Sequence, residues 1–580
     1  MALAQDYLAT LNQAQHRAVT HPPHVPLQIL AGPGSGKTHV LTCRIAHLVG
    51  ARNIAPSRIV AVTFTNKAAN EMRERLVKLV GPVNTAKLLM GTFHALCAKF
   101  LRQYGEAIGL NKNFTICDAD ESKKIVNKLI KTHADYLQSY DFEVTDRQVA
   151  SLISKAKSKG LSPEQVAVVG VKDTLRPPAG EPPNPHHVAL SMLYSEYQAA
   201  LKANKSLDFD DLLAYGVKLL DAVPRIAEFC EHVLVDEFQD TNVQQYALMT
   251  RLASHHKCVS IVGDPDQSIY GWRAAEIENL AKMVRDFTSV EQVLLEQNYR
   301  STQSILRTSI AIMAEDKNRI PKSLYSAHHE GTVPHLRQCR NERDEADFVA
   351  QQIKMIVAQT GGMLKYTDFA ILLRTSAYSR ALESSLQREG VPHRVLKGHK
   401  FFERMEVKDL LSYLQLVDNP NFAPAFARAI NTPPRGIGDK TITELMAVAS
   451  SRKCSAVEVV EGIFGGRFPD IKPPCKRKLG SFITVFRRLR TDAQSGAAPD
   501  ALLKTLVEVL EYEAHLKKTQ EDWESRMENV QELVSFAGQT RAADVDVPLP
   551  DLGQDQDNGQ QYVARRTICR ATNTTAGKRR

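Results

Sequence analysis

LQILAGPGSGKTHVLTCRIAHLV, residues 27–49, decides the fold. Leu27 to Ala31 is a short apolar run, the pattern of a strand buried on both faces. The glycine-rich turn Ala31-Gly32-Pro33-Gly34-Ser35-Gly36 follows, and from Lys37 to about Val49 the apolar residues fall at helical spacing. Glycines at such a turn let successive backbone N–H groups point inward, and the helix N-terminus adds its dipole, so the stretch is a cradle for phosphate oxygens. Lys37 is placed to reach the β and γ phosphates of a nucleotide, and Thr38 to ligate Mg²⁺. Ala31 stands where the strict pattern has glycine, so the string gains its weight from its position between a strand and a helix.

Outward from this turn the chain keeps alternating. Ile59 to Phe64 (IVAVTF) reads as a buried strand, and NKAANEMRERLVKLV (66–80) as a helix. Strand, loop, helix, strand is the signature of a parallel sheet with right-handed crossovers. Residues 95–205 are helical and polar, broken by a loop at RPPAGEPPNP (176–185). Strand patterns then return at His232 to Val235, Val259 to Val262 and Val293 to Leu295. A helical module inserted between strands of one sheet accounts for this order. FAILL (369–373) is the clearest strand of a second α/β segment, residues 401–540 read as helical, and residues 541–580 are polar enough to be disordered. The fold class is α/β.

The 580 residues suffice for several domains, and 43% hydrophobic with 24% charged residues excludes a disordered, collagen-like or disulfide-scaffold chain. Lys and Arg exceed Asp and Glu by 74 to 65, a formal charge of +9 that suits a partner bearing phosphates. The nine cysteines are scattered without a C-x-x-C pair, which points to a reducing compartment and to no zinc knuckle. No apolar run approaches the ~20 residues that span a bilayer, so a soluble, intracellular protein is expected.

An NTPase site needs an acidic residue ending a neighbouring strand, and Val233-Leu234-Val235-Asp236-Glu237 supplies it. Asp236 would hold Mg²⁺, and Glu237 would orient and deprotonate the attacking water. An isolated Asp-Glu pair is commonly a solvated strand end; the apolar strand before it and the phosphate loop upstream decide for chemistry.

With VDEFQDTN (235–242) the sequence resembles the UvrD/Rep/PcrA-type superfamily 1 DNA helicases, including their fungal anti-recombinase relatives. The other blocks are LNQAQHRAV (11–19), AGPGSGKT (31–38), TFTNKAANEM (63–72), GTFHALC (91–97), LDFDDLL (207–213), VGDPDQSIYGWRAA (262–275), LEQNYRST (295–302), FFERMEVKDLLSYL (401–414), NTPPRGIGDKT (431–441) and SRMENVQELVSF (525–536). The resemblance implies two RecA-like lobes, each with a mainly helical insertion and with ATP between them. It divides the chain into a first lobe (1–94 and 206–297) with its insertion (95–205), a second lobe (298–400) with its insertion (401–540), and the tail (541–580).

The same resemblance implies roles for single residues. Gln15 would read adenine, Arg44 would contact the nucleotide, Tyr299 would stack on the base, Gln267 would sense the γ-phosphate, and Arg300 would be an arginine finger. Phe64, Asn66, Thr92, Phe93 and His94 would line a DNA track, and Tyr270, Trp272 and Arg273 would stack on unpaired bases. Single-stranded DNA and duplex junctions are the implied partners, 3′ to 5′ the implied polarity, and repair or recombination the implied role. The implied compartment is the nucleus, or the cytoplasm and nucleoid in a bacterium. Ala274 replaces a common glycine. Two family blocks, one like T-x-H-x-A-K-G-L-E and one bearing TRA, do not follow Phe536, and QYVARRTICRAT (561–572) matches the second only superficially. The expectation is a truncated product whose second lobe is incomplete; the alternative to a working motor is a chain that binds ATP and DNA without translocating.

Overall fold

The computed structural model describes residues 5–171, 184–271, 275–317, 319–320, 322–395, 401–471, 475–520 and 522–543. Its centre is a six-stranded parallel sheet. The strands are β1 (Leu27–Ala31), β2 (Ile59–Thr63), β3 (Leu89–Thr92), β6 (His232–Val235), β7 (Val259–Gly263) and β8 (Glu291–Leu295), in the order β3-β2-β6-β7-β1-β8. A short pair, β4 (Thr115–Ile116) with β5 (Ser206–Leu207), closes the base of the first insertion. Every residue of β1, β2, β6 and β7 is buried, as a parallel sheet covered on both faces requires.

Four helices lead in and out of the strands: α1 (Gln13–Thr20), α2 (Lys37–Gly50), α3 (Asn66–Lys87) and α4 (Phe93–Tyr104). Two apolar clusters, one on each face of the sheet, lock them down, the first around Ile29, Leu41 and Met72 and the second around Val60, Phe100 and Leu213. Because all six strands run the same way, the loops after β1, β2, β3, β6 and β7 open on one edge. That carboxyl edge is where open α/β sheets bind ligands.

The insertion between β4 and β5 has its own helical core around Val149, Ile153 and Leu193. At its base Lys157 is fully buried, its Nζ 2.6 Å from Asp208 and 2.8 Å from Asp211, with Tyr197 Oη donating to Asp208 at 3.0 Å. Burial opposes the lysine charge, but the carboxylates of Asp208 and Asp211 outweigh it and hold Lys157 protonated above the usual lysine range. Lys157→Met would leave two carboxylates buried without their cation, and is expected to cost about 3–5 kcal/mol. A lower denaturant midpoint than that of the parent chain checks it.

The remaining chain divides unevenly. Residues 401–537 form a large helical unit with a core of its own around Phe422, Phe426, Phe482 and Phe486. Between it and the first sheet lie β9 (Gln297–Asn298) paired with β10 (Tyr325–Ser326), and the helices Glu342–Gln359 and Ser379–Arg388 around a small cluster of Ala350, Ile353, Leu386 and Val391. FAILL departs from expectation. Residues 369–373 pair with no strand among the described residues, and Leu372 is 94% exposed. A strand-forming sequence becomes a strand only where a neighbour takes its backbone hydrogen bonds, and none is offered here. The loop 176–185 lies outside the described residues except for Asn184 and Pro185. The expected disordered tail begins with the end of a helix, Trp523–Ala543, and its remainder lies outside them too. Among the described residues no helix is long and apolar enough to cross a membrane.

Candidate nucleotide and nucleic-acid site

The turn after β1 has the geometry its glycines predict. Gly34 and Gly36 lie in the left-handed region, at φ +66° and +86°. The carbonyls of the loop are each held by a protein donor. Ser35 Oγ donates to Gly32 O (2.7 Å), Asn298 Nδ2 to Pro33 O (2.6 Å), Tyr299 N to Gly34 O (2.9 Å) and Gln15 Nε2 to Ser35 O (2.9 Å). The loop leads directly into α2, whose N-terminal dipole favours an anion.

Asp236 directly follows β6, its N–H donating to Val62 O at 2.8 Å. Burial first, and the charge of Glu237 second, push its carboxyl up to about 7. Lys37 Nζ lies 3.9 Å from Glu237 Oε2, an ion pair that joins the loop to the acids. Lys37 and Arg75 are the cations whose charge acts on Asp236 and opposes the effect of burial and Glu237. Among the described residues there is no cluster of three or more His, Cys, Asp or Glu that could hold a metal ion.

The sign of the pH effect follows. A carboxyl raised to about 7 in the folded chain binds a proton that the unfolded chain has released, so without ligand stability falls as pH rises from about 4 to about 7. Binding of Mg²⁺ with nucleotide is expected to expel that proton below pH 7. Affinity for Mg²⁺-ATP should therefore rise between about pH 6 and about pH 7.5, and Asp236→Asn should melt a few degrees higher than the parent at about pH 8 without ligand (roughly 2–4 °C per kcal/mol). Calorimetry in two buffers and a melting scan check both.

Gln15 and Tyr299, the residues expected at adenine, both bond the phosphate loop. Gln15 is buried beside the loop, but both ends of its amide are engaged, Nε2 on Ser35 O and Oε1 accepting from Asn12 N at 3.1 Å. Tyr299 is half exposed, its Oη accepting from Asn12 Nδ2 at 2.8 Å and donating to Gln297 Oε1 at 2.8 Å. Arg300 is exposed, and its backbone lies on the phosphate loop: a Cβ built at Gly34 would be 2.6 Å from that of Arg300. Asn298, which the sequence reading passed over, makes this docking, accepting from the N–H of Arg300 (2.9 Å) and Ser301 (2.8 Å) while donating to Pro33 O. An Asn two residues before the expected finger was the available signal.

Arg44 is a correction. It is 0% exposed and turned away from the loop, with Nε donating to Ser260 Oγ (2.7 Å) and Nη1 to Ala18 O (3.0 Å) and His21 O (3.0 Å). Its guanidinium gathers the carbonyls at the end of α1, a structural task. Phe93 is a second correction, buried in the cluster that supports β3.

Of the residues expected at nucleic acid, Phe64, His94 and Tyr270 lie together. The rings of Phe64, after β2, and Tyr270, after β7, have centroids 5.0 Å apart. Phe64 and His94 open into a cavity of about 260 Å³ whose walls include Ser154, Lys155, Asp240 and Asn242. Asn66 and Thr92 sit at the starts of α3 and α4, where Thr92 Oγ1 accepts from Ala95 N at 3.2 Å. Asp240, on the cavity wall, is pushed up to about 7 by burial and by Glu237, and one of its oxygens has no partner. Trp272 and Arg273 lie outside the described residues. Gln267, in the turn after β7, donates from Nε2 to Asp264 Oδ2 at 2.5 Å.

Known proteins match most of the chain. Residues 11–288 match the UvrD/REP helicase N-terminal domain, and residues 293–464 the UvrD-like helicase C-terminal domain. The chain is 37% identical over 514 residues to ATP-dependent DNA helicase PcrA of Leuconostoc citreum, covering 88% of this chain and 66% of that protein. It is 37% identical over 551 residues to ATP-dependent DNA helicase srs2 of Schizosaccharomyces pombe, covering 92% and 61%. Against ATP-dependent DNA helicase PcrA of Bacillus subtilis it is 36% identical over 540 residues, covering 92% and 70%. The chain thus spans about two thirds of the length of these relatives.

Proposed function

The chain belongs to the UvrD-like helicase family, and from that premise we propose that it is an ATP-driven motor on single-stranded DNA. It would move 3′ to 5′, open duplexes at junctions, and act in repair or recombination. The observation that supports the reading is the docking of the Asn298–Arg300 segment on the phosphate loop, since a residue that can carry a cation towards bound phosphates then starts from the loop itself.

In the proposed cycle the cradle N–H groups and Lys37 hold the β and γ phosphates, and Asn12, Gln15 and Tyr299 border the base. Mg²⁺, held by Thr38 and Asp236, would supply charge neutralisation between phosphates. Glu237 orients a water for in-line attack and takes its proton, while Arg300 balances the charge that builds on the γ-phosphoryl oxygens. Gln267, tied through Asp264 to the turn after β7, links the phosphate end to Tyr270 three residues on. The division into two lobes and two insertions at 94/95, 205/206, 297/298 and 400/401 is part of this proposal.

Phe64 and Tyr270 would stack on successive bases, so Phe64→Ala is expected to weaken binding of an oligo-dT strand by about 1–3 kcal/mol. The salt slope, roughly −0.7 per phosphate neutralised, should stay as it was because the ring carries no charge. Fluorescence anisotropy at several salt concentrations checks both.

A second reading has its own observation. Residues 369–373 present an exposed apolar stretch outside any sheet, and among the described residues the region from 297 to 395 has only the β9–β10 pair as sheet. A lobe so sparsely braced would bind ATP and DNA through the first sheet without converting hydrolysis into movement. Partial duplexes with a 3′ or a 5′ single-stranded tail separate the readings. Unwinding of the 3′-tailed substrate alone supports the motor with its polarity. Binding of both without unwinding supports the second reading.

A further inference from the structure

The segment that follows the helix Gln303–Met313 returns to the first sheet and plugs into the turn after β7. The side chain of Lys322 is completely buried there, paired with Asp264 and lying 3.1 Å from Asp266 Oδ2. Arg319 joins it, with Nε 3.1 Å and Nη2 2.9 Å from Asp266 Oδ2. Two residues on from Lys322, Leu324 lies against the phosphate loop, so that a Cβ on Gly32 would collide with its Cδ2. Then β10 pairs with β9, immediately before Tyr299 and Arg300.

Asp264 is the hub. One carboxylate oxygen accepts from Gln267 Nε2 (2.5 Å), and the other accepts from Asp266 N (3.1 Å) and faces Lys322. Its own N–H donates to Gln239 Oε1 (2.9 Å), and Gln239 Nε2 donates to Glu237 Oε2 (3.0 Å). An unbroken chain of polar contacts therefore runs from Glu237, beside Lys37, through Gln239 and Asp264 to Lys322. A buried carboxylate stripped of its cation is strongly disfavoured. The 319–326 segment cannot leave the sheet without exposing Asp264 to that penalty, and Asp264 cannot shift without moving the amide of Gln267.

We propose that Lys322, assisted by Arg319, is a positioning residue that couples the segment beyond the first sheet to Gln267, so that DNA binding at the Phe64–Tyr270 face speeds ATP turnover. The inference rests on the motor reading above. Lys322 acts through another residue: it fixes Asp264, which holds the side-chain amide of Gln267.

The test uses the full chain with Lys322→Met and with the charge-neutral pair Lys322→Met/Asp264→Asn. Steady-state ATP hydrolysis is measured with and without an oligo-dT strand. Hydrogen exchange of residues 319–326 is followed with and without a non-hydrolysable ATP analogue. Lys322→Met is expected to lose at least about tenfold in DNA-stimulated kcat while KM for ATP changes less than about threefold. It should also lose the analogue's protection of 319–326. The neutral pair should regain part of both, because the amide oxygen introduced at position 264 can accept from Gln267 and Asp264 no longer leaves a bare charge, while Asp266 N gives up its acceptor. Arg319→Ala should show the same pattern, weaker. Full DNA stimulation in Lys322→Met, or analogue protection unchanged by it, overturns the proposal, as does a neutral pair that recovers fold but not coupling. A parent chain that hydrolyses no ATP defeats the motor reading instead, and the exchange measurement still judges the Lys322 link.

Discussion

Arg300→Ala is expected to slow ATP turnover by about 10³–10⁵-fold, the range seen when an arginine finger is withdrawn from phosphoryl transfer. The backbone of Arg300 is already docked on the phosphate loop, held by Asn298, which bonds Pro33 O on one side and the N–H groups of Arg300 and Ser301 on the other. The side chain is exposed, with its Cβ against Gly34 of the loop. Its positive charge matters most when negative charge spreads over the γ-phosphoryl oxygens, so the loss belongs to kcat and leaves KM for ATP within a few-fold. Arg300→Lys should recover little, because a single ammonium cannot span two oxygens as the guanidinium fork does. Steady-state ATPase kinetics over a range of ATP concentrations reads both parameters. Equal loss in KM would place Arg300 in ground-state binding instead.

Glu237→Gln is expected to lower kcat by about 10²–10⁴-fold, the usual worth of a positioned general base. Glu237 occupies left-handed backbone at φ +48°, directly after the strand, and there Gln meets the same strain as Glu. Gln239 Nε2 can still donate to the amide oxygen that replaces Glu237 Oε2. Shape is therefore kept, while the carboxylate and its ion pair with Lys37 are removed. The variant should bind ATP at least as tightly as the parent, because removing the charge beside Asp236 lets that carboxyl ionise more readily. A trapped, ATP-loaded protein with intact DNA binding is the expected phenotype, read by filter binding of labelled ATP alongside single-turnover hydrolysis.

Much of this site was legible in the sequence because its parts are local. Strands β1, β2, β6 and β7 are buried on both faces, so their apolar runs stand out from the helices around them. The glycines at 34 and 36 announce a turn that needs positive φ. What failed depends on direction or distance. Arg44 sits two turns along α2 from Lys37, and a position on a helix does not tell which face its side chain takes; burial against the carbonyls of α1 decided it. Phe93 and His94 are adjacent, yet one points into the core and the other into the cavity. FAILL has the composition of a strand, but a strand is a property of a pair. Lys322 and Asp264 are 58 residues apart, and neither is marked by its neighbours as half of a buried ion pair.

The measurement that bears most directly on the central claim is ATP hydrolysis by the purified chain, with and without single-stranded DNA, beside a Lys37→Ala control. A rate that rises steeply with DNA and vanishes in the control is the expected result. A rate that stays at the Lys37→Ala background with saturating DNA, while nucleotide and DNA both bind, contradicts the motor and leaves a protein that only holds its two ligands.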